Sequence, residues 1–197
     1  MKPISRIEST AIPLKRSDVD TDQIIPSDWL KRIERTGFGA GLFGEWRDDP
    51  SFVLNDQRYA GARILVAGLN FGTGSSREHA VWALTDYGFE AVISSRFGDI
   101  FRNNSTKAGL VPVVLPQAVV EKIWAGIENN PQMLIAIDIA KREVEIAELG
   151  ISEPFPLDDF TQNRFIEGLD DIGLSLRYES DITRFESVRM QWLPSTV

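Results

Sequence analysis

From residue 62 onward, short apolar runs alternate with segments of helical period. The run "ARILVAGLN" (62–70) is continuous and apolar, which predicts a buried strand. "SSREHAVWALTDYG" (75–88) predicts a helix closed by Gly88. "FEAVISS" predicts the next strand, "RFGDIFRNNSTKAG" a helix or helical loop, and "LVPVVLP" a third strand. "QAVVEKIWAGIENN" sets Val119, Ile123 and Ile127 on one stripe of an amphipathic helix. Strand and helix in alternation are the signature of an α/β layer. "MLIAIDIA" and "REVEIAEL" then predict a hairpin, so a mixed sheet is expected.

The ends of the chain are less regular. "ISRIESTAIPL" reads as a strand and "RSDVDTDQIIP" as an acidic loop ending at Pro26. "SDWLKRIERTGFGAGLFG" opens with a cap and one or two helical turns, then dissolves into glycines at 37, 39, 41 and 44. Those glycines predict an exposed, mobile loop. "LDDFTQNRFIEGL" and "YESDITRFESVRMQWL" predict helices. With no repeat, linker or boundary in view, a single domain over 1–197 is expected, including a C-terminal helical extension from about 158 to 197.

Composition narrows the chemistry. A net charge of −8 and a pI near 4.8 argue against a nucleic-acid partner, which demands a basic face. "MKPISRIEST" lacks the apolar core of a signal peptide and no later run has the length of a membrane span, so a cytoplasmic protein without a membrane partner is expected. The chain has no cysteine and one histidine. Neither a thiol nucleophile, an iron–sulfur cluster nor a histidine-rich metal site can be built from it alone.

The densest chemistry lies in "GLNFGTGSSREHA" (68–80). A phosphate-binding P-loop needs a lysine that this stretch lacks, and Arg77 stands where the dinucleotide fingerprint wants its third glycine. Ser75 and Glu78 have the spacing of a capping box, which is worth about 1 kcal/mol. His79, beside an apolar stripe, reads as structural, and a Ser75–His79 dyad has no third member to orient the base. Two features exceed a cap. Glycines at 68, 72 and 74 let backbone amides converge near a helix N-terminus, and Arg77 opposes the helix dipole unless an anion sits there. A carboxylate is the natural guest of a guanidinium fork. "DVDTDQ" places acids at 18, 20 and 22 but fails as a calcium loop, having Gln23 and Trp29 where glycine and glutamate are required. A solvated acidic turn is the simpler expectation there. Lys31, Arg32 and Arg35, between Leu30 and Ile33, form either an ordinary charged helical face or a local positive patch for a dianion.

"DVDTDQIIP", "LKRIERTGFG", "GLNFGTGSSREHA", "RFGDIFRNNSTKAGLVPV" and "DDIGLSLRYESDITRFESVRMQWLP" together resemble the small subunits of bacterial 3-isopropylmalate dehydratases, in the aconitase superfamily. The resemblance runs from about Arg6 to Pro194. It implies an α/β fold, a compact β/β/α swivelling domain like the aconitase C-terminal domain. It also implies a separate large subunit, which bears a [4Fe-4S] cluster, and no cofactor on this chain. The reaction implied is interconversion of 2-isopropylmalate and 3-isopropylmalate through isopropylmaleate, in leucine biosynthesis.

By the same resemblance Ser75 is the base that takes the substrate's carbon-bound proton, and Ser76 and Arg77 hold a substrate carboxylate. The turn from Gly72 through Gly74 to Ser76 would supply amides to the alkoxide. Leu30, Lys31, Ile33 and Thr36 fall in the loop that selects substrates, with Arg32 and Arg35 as cations for the dicarboxylate. Two other readings stay open: a non-catalytic small-molecule or regulatory module using the same loop, and a homoaconitase-type or citraconate-type hydro-lyase.

Overall fold

The computed structural model describes residues 1–31, 36–75 and 77–190. Its strands divide into two four-stranded sheets. β2 (Ala11–Leu14), β3 (Ile64–Ala67), β4 (Ala91–Ser94) and β5 (Val111–Val114) pair in that order, all parallel. β1 (Arg6–Ser9), β6 (Ile135–Asp138), β7 (Glu143–Ile146) and β8 (Ile151–Pro154) form the second sheet, all antiparallel. The α/β class expected from the sequence is present, but its mixed strand content is split between two sheets of one kind each. Burial explains the division. β2, β3 and β4 are buried at every position, as parallel strands covered on both faces must be. β1 alternates exposed and buried and β7 half-buried and buried, which suits an antiparallel sheet with one wet face.

The stretch read as one strand, "ISRIESTAIPL", breaks at Thr10, where the chain leaves one sheet for the other. The Ser9 hydroxyl accepts from the Arg63 amide at 3.1 Å, and the Arg63 guanidinium donates to the Glu8 carbonyl at 2.7 Å. The end of β1 is thereby tied to the start of β3.

Among the described residues there are eight α-helical segments, five before the last strand and three after it: α1 (Thr21–Ile24), α2 (Gly44–Arg47), α3 (Glu78–Tyr87), α4 (Asp99–Ala108), α5 (Gln117–Asn129), α6 (Asp159–Glu167), α7 (Asp171–Leu176) and α8 (Glu179–Ser187). α5 lies against β2, β3 and β4 through Val119, Val120, Ile123 and Ile127, the stripe its period predicts. α3 and α4 end on Gly88 and Gly109 in the left-handed region. α6 is held by fully buried Phe165, whose carbonyl accepts from the Ile4 amide at 2.7 Å.

The glycine-rich 37–44 segment is the main correction to the sequence reading. Phe38–Gly41 is a 3-10 turn packed on α3, and Phe38, Leu42 and Phe43 are fully buried. A Cβ on Gly39 would stand 2.7 Å from the Tyr87 backbone nitrogen, and one on Gly41 would stand 2.3 Å from the Trp29 ring. Glycine serves here for close approach and not for motion.

Candidate active site

Three loops leave the carboxyl ends of β2, β3 and β4, the edge at which parallel sheets of this kind place ligands. The loop after β3 is the glycine-rich stretch, and its neighbours fix it residue by residue. The Gly68 amide donates to the Arg16 carbonyl at 2.9 Å, and an added Cβ would meet that oxygen at 2.5 Å. Asn70 and Asp18, both at positive φ, join through a 2.7 Å side-chain hydrogen bond. Phe71 is buried edge-on against Phe97 and Phe101. Gly72 turns at φ +74° with its Cα against the Phe101 ring, where a Cβ would lie at 2.3 Å.

Beyond Gly72, the acidic motif "DTD" grips the loop from the β2 side. Asp20 and Thr73 form a parallel bridge, and the Thr21 amide donates to the Thr73 carbonyl at 3.0 Å. The Thr21 hydroxyl donates to the Ser75 carbonyl at 2.6 Å. Asp22 pairs with the Arg77 guanidinium at 2.8 Å. Three consecutive residues of α1 and its cap therefore hold alternate residues 73, 75 and 77. The solvated acidic turn expected from composition is in fact a built clamp. Asp20 also caps α1 by a full capping box with Gln23, at 2.8 and 3.0 Å. That D-x-x-Q spacing was a usable signal in the sequence; the pairing of Asp22 with Arg77, distant along the chain, was not.

Ser75 itself is exposed. It does not cap α3, contrary to the capping-box expectation: α3 starts at Glu78, and its cap position is Arg77 in extended conformation without a side-chain cap. The reason is local. Gly74 at φ +84° and the Thr21 bond to the Ser75 carbonyl hold residues 74–75 out of helical register. Two of the amides expected to face a substrate are also spent internally. Gly72 and Thr73 both donate to the Val19 carbonyl, at 2.7 and 3.3 Å. Among the described residues no acceptor is present for the amides of Gly74, Ser75 and Arg77. Arg77 is three-quarters buried and its Nε, fully shielded, has no hydrogen-bond partner among them. The Arg77 guanidinium is therefore held in place by Asp22 alone among the described residues.

His79 packs between Trp82, edge-on at 4.7 Å, and Phe38 at 5.4 Å, in keeping with a structural role. Phe38 in turn meets Trp29 at 6.3 Å. This aromatic row places the 3-10 turn Ser27–Lys31, root of the expected specificity loop, next to the first turn of α3. Within that loop Leu30 is half-buried against the core, Lys31 is exposed and paired with Asp28 at 3.2 Å, and Thr36 is exposed. Arg32, Ile33, Arg35 and Ser76 lie outside the described residues. Gly74, Ser75 and Arg77 are thus brought together with Asp20, Thr21 and Asp22, with Gly74 and Ser75 exposed and Thr21 buried. A cavity of about 730 Å³, lined by Asp99, Arg102, Arg142 and Asp158 among others, lies elsewhere, and Ser75 does not border it. Among the described residues no group of three or more His, Cys, Asp or Glu side chains could hold a metal ion, and no helix is long and apolar enough to cross a membrane.

Known proteins share this fold. Residues 1–118 match the family model described as the aconitase C-terminal domain. Residues 171–194 match the model for the C-terminal domain of the 3-isopropylmalate dehydratase small subunit. The chain is 66% identical over 186 residues to the 3-isopropylmalate dehydratase small subunit of Parafrankia sp. (strain EAN1pec), covering 94% of each. It is 64% identical over 187 residues to that of Frankia alni, covering 95% of each. The crystal structure of a 3-isopropylmalate dehydratase from Methanocaldococcus jannaschii superposes with a TM-score of 0.66 at 25% identity, over 91% of this chain and 98% of that one. The chain belongs to the family of 3-isopropylmalate dehydratase small subunits, built on the aconitase C-terminal domain.

Proposed function

We propose that this chain is the small subunit of a heteromeric hydro-lyase that interconverts 2-isopropylmalate and 3-isopropylmalate through isopropylmaleate, in leucine biosynthesis. It works in the cytoplasm as a single domain with a C-terminal helical extension from about residue 158, of which residues 191–197 lie outside the described residues. The observation that carries the reading is an exposed Ser75, two residues before Arg77, on a loop clamped by Asp20, Thr21 and Asp22. An active site split between two chains leaves its half exposed, which is how Ser75 stands here.

In this reading Ser75 takes the proton from the substrate carbon next to the carbon that bears the hydroxyl. A serine hydroxyl is a weak base, so its alkoxide must be stabilised by neighbouring charge. The Gly74 and Ser75 amides and the Arg77 guanidinium are the groups at hand. Arg77 binds a substrate carboxylate, and its pairing with Asp22 fixes the plane of the fork. Proton removal, loss of hydroxide and re-addition of water with the two positions exchanged converts one isomer into the other. Acid–base positioning of this kind contributes about 10²–10⁴-fold.

A [4Fe-4S] cluster cannot be held here by thiolates, since the chain has no cysteine, and it belongs on the large subunit. When bound there it supplies the Lewis acid for hydroxide departure. Leu30, Lys31, Ile33 and Thr36 belong to the loop that selects substrates, with Leu30 and Ile33 for the isopropyl group and the cations Arg32 and Arg35 for the dicarboxylate; residues 32–35 lie outside the described residues. Ser76 joins Arg77 on the carboxylate.

The test is anaerobic mixing of this chain with the cluster-loaded large subunit, following isopropylmaleate hydration by ultraviolet absorbance. Turnover in the mixture, with each component silent alone, is the expected result. A silent mixture with the cluster intact contradicts the assignment.

A further inference from the structure

The C-terminal helices leave the body of the fold in a manner the proposed chemistry does not use. α6 is anchored by buried Phe165, and Arg164 reaches from it to Asp171 at the start of α7 at 3.0 Å. Arg177 pairs back to Glu167 of α6. Beyond that point support ends: every residue of α8 is exposed. Tyr178, Ile182 and Phe185 recur at the i, i+4, i+7 spacing of one helix face, and Val188 extends it. Ile182 is 41% exposed, Phe185 67% and Val188 75%, and Ile172 and Leu176 of α7 are bare as well.

A nine-residue helix is marginal in water on its own, and an apolar patch larger than a few hundred Å² marks an interaction surface. We propose that this stripe is the helix by which the chain seats in an apolar groove of the large subunit, an inference that rests on the small-subunit reading above. The mode is that of an amphipathic helix laid in a groove, with anchors one turn apart.

Two observations favour the large subunit over a second copy of this chain. The domain matched over residues 1–118 is the C-terminal part of a longer protein, whereas that matched over 171–194 is particular to the small subunit. A domain joined to its partner by the chain has its local concentration supplied by the linker; a separate subunit needs a surface that supplies it. The 171–194 segment is where the bare stripe lies. Self-pairing, by contrast, would bring together two chains of net charge −8.

The experiment is a calorimetric titration of the cluster-loaded large subunit with the full chain and with the Ile182→Asp/Phe185→Asp double variant. Hydration activity is read at low and at saturating chain concentration. The expected result is a Kd weakened by about thirtyfold or more, as for loss of interface anchors. Activity should return at saturation and the thermal midpoint of the isolated variant should be unchanged. Phe185→Leu should bind within a few-fold of the natural chain. Amide exchange over residues 180–187 should slow when the complex forms. An unchanged Kd in the double variant, or unchanged exchange, overturns the inference while leaving the assigned activity intact. So does a dimer of the isolated chain that the double variant dissolves without weakening the large-subunit complex. Failure of the natural chain itself to bind the large subunit overturns both.

Discussion

The hydroxyl of Thr21 donates to the carbonyl oxygen of Ser75 at 2.6 Å, across 54 positions of the chain. Thr21 is 2% exposed, so this bond is shielded from water and it sets the backbone from which the candidate base projects. Thr21→Val should keep the volume and lose the donor, at a stability cost of about 1–3 kcal/mol. In the reconstituted enzyme kcat should fall about tenfold or more while KM changes little, and Thr21→Ser should restore most of it. Steady-state hydration kinetics on the three proteins check this; equal kcat in all three would remove the clamp from the mechanism.

Asp22 and Arg77 make the second contact of the clamp. Arg77→Lys preserves the charge but not the planar fork, so kcat/KM should drop at least about a hundredfold. Titrating substrate against natural and variant enzymes separates loss of binding from loss of turnover. A near-normal kcat/KM would mean that Arg77 serves Asp22 and not the substrate.

Two glycines distinguish close packing from backbone strain. Gly39→Ala drives a Cβ to 2.7 Å from the Tyr87 nitrogen and 2.8 Å from the Asp86 carbonyl carbon, so neither side can yield without moving the end of α3. Its cost should be about 2–3 kcal/mol. Gly61, at φ +79° with open space around it, should cost only about 1 kcal/mol as alanine. Denaturant midpoints of the two variants should differ in that order.

The same glycines show where sequence reading reached and where it stopped. The order from β3 to α5 was legible because each apolar run has its own period and is closed by a residue such as Gly88 or Gly109. The 37–44 segment was misread because an exposed loop and a close backbone approach call for the same glycines, and only the packed partner, Tyr87 or Trp29, tells them apart. The break at Thr10 was hidden because both flanking strands are β-prone and nothing local says that they join different sheets. β8 went unnoticed, since "ISEP" is short, half-exposed and ends in proline. At the site, Ser75 and Arg77 were legible from the motif, whereas the clamp depended on residues 20–22 meeting residues 73–77 in space.

Acid should loosen the caps of α6 and α7. Asp158 and Asp170 cap α6 and α7, accepting the Thr161 amide at 2.9 Å and the Gly173 amide at 2.7 Å, and these bonds lower both carboxyl pKa values. A lowered pKa means that the stabilisation is full above the unfolded carboxylate value, about 3.9, and is lost as pH falls below it through the folded value. Asp158→Asn keeps a capping side chain that does not titrate. Its unfolding midpoint should be flatter than that of the natural chain between about pH 4 and pH 2 and similar near neutrality. Parallel slopes for the two proteins would contradict the assignment.

The most direct test of the whole account is the turnover of Ser75→Ala in the complex. Ser75 is exposed and its side chain caps no helix, so its removal should leave the unfolding midpoint and the affinity for the large subunit unchanged. Hydration of isopropylmaleate by the assembled variant should fall by about 10²-fold or more, the scale of a lost general base. Full activity from an intact complex of Ser75→Ala with the large subunit would show that the proton is taken by another group.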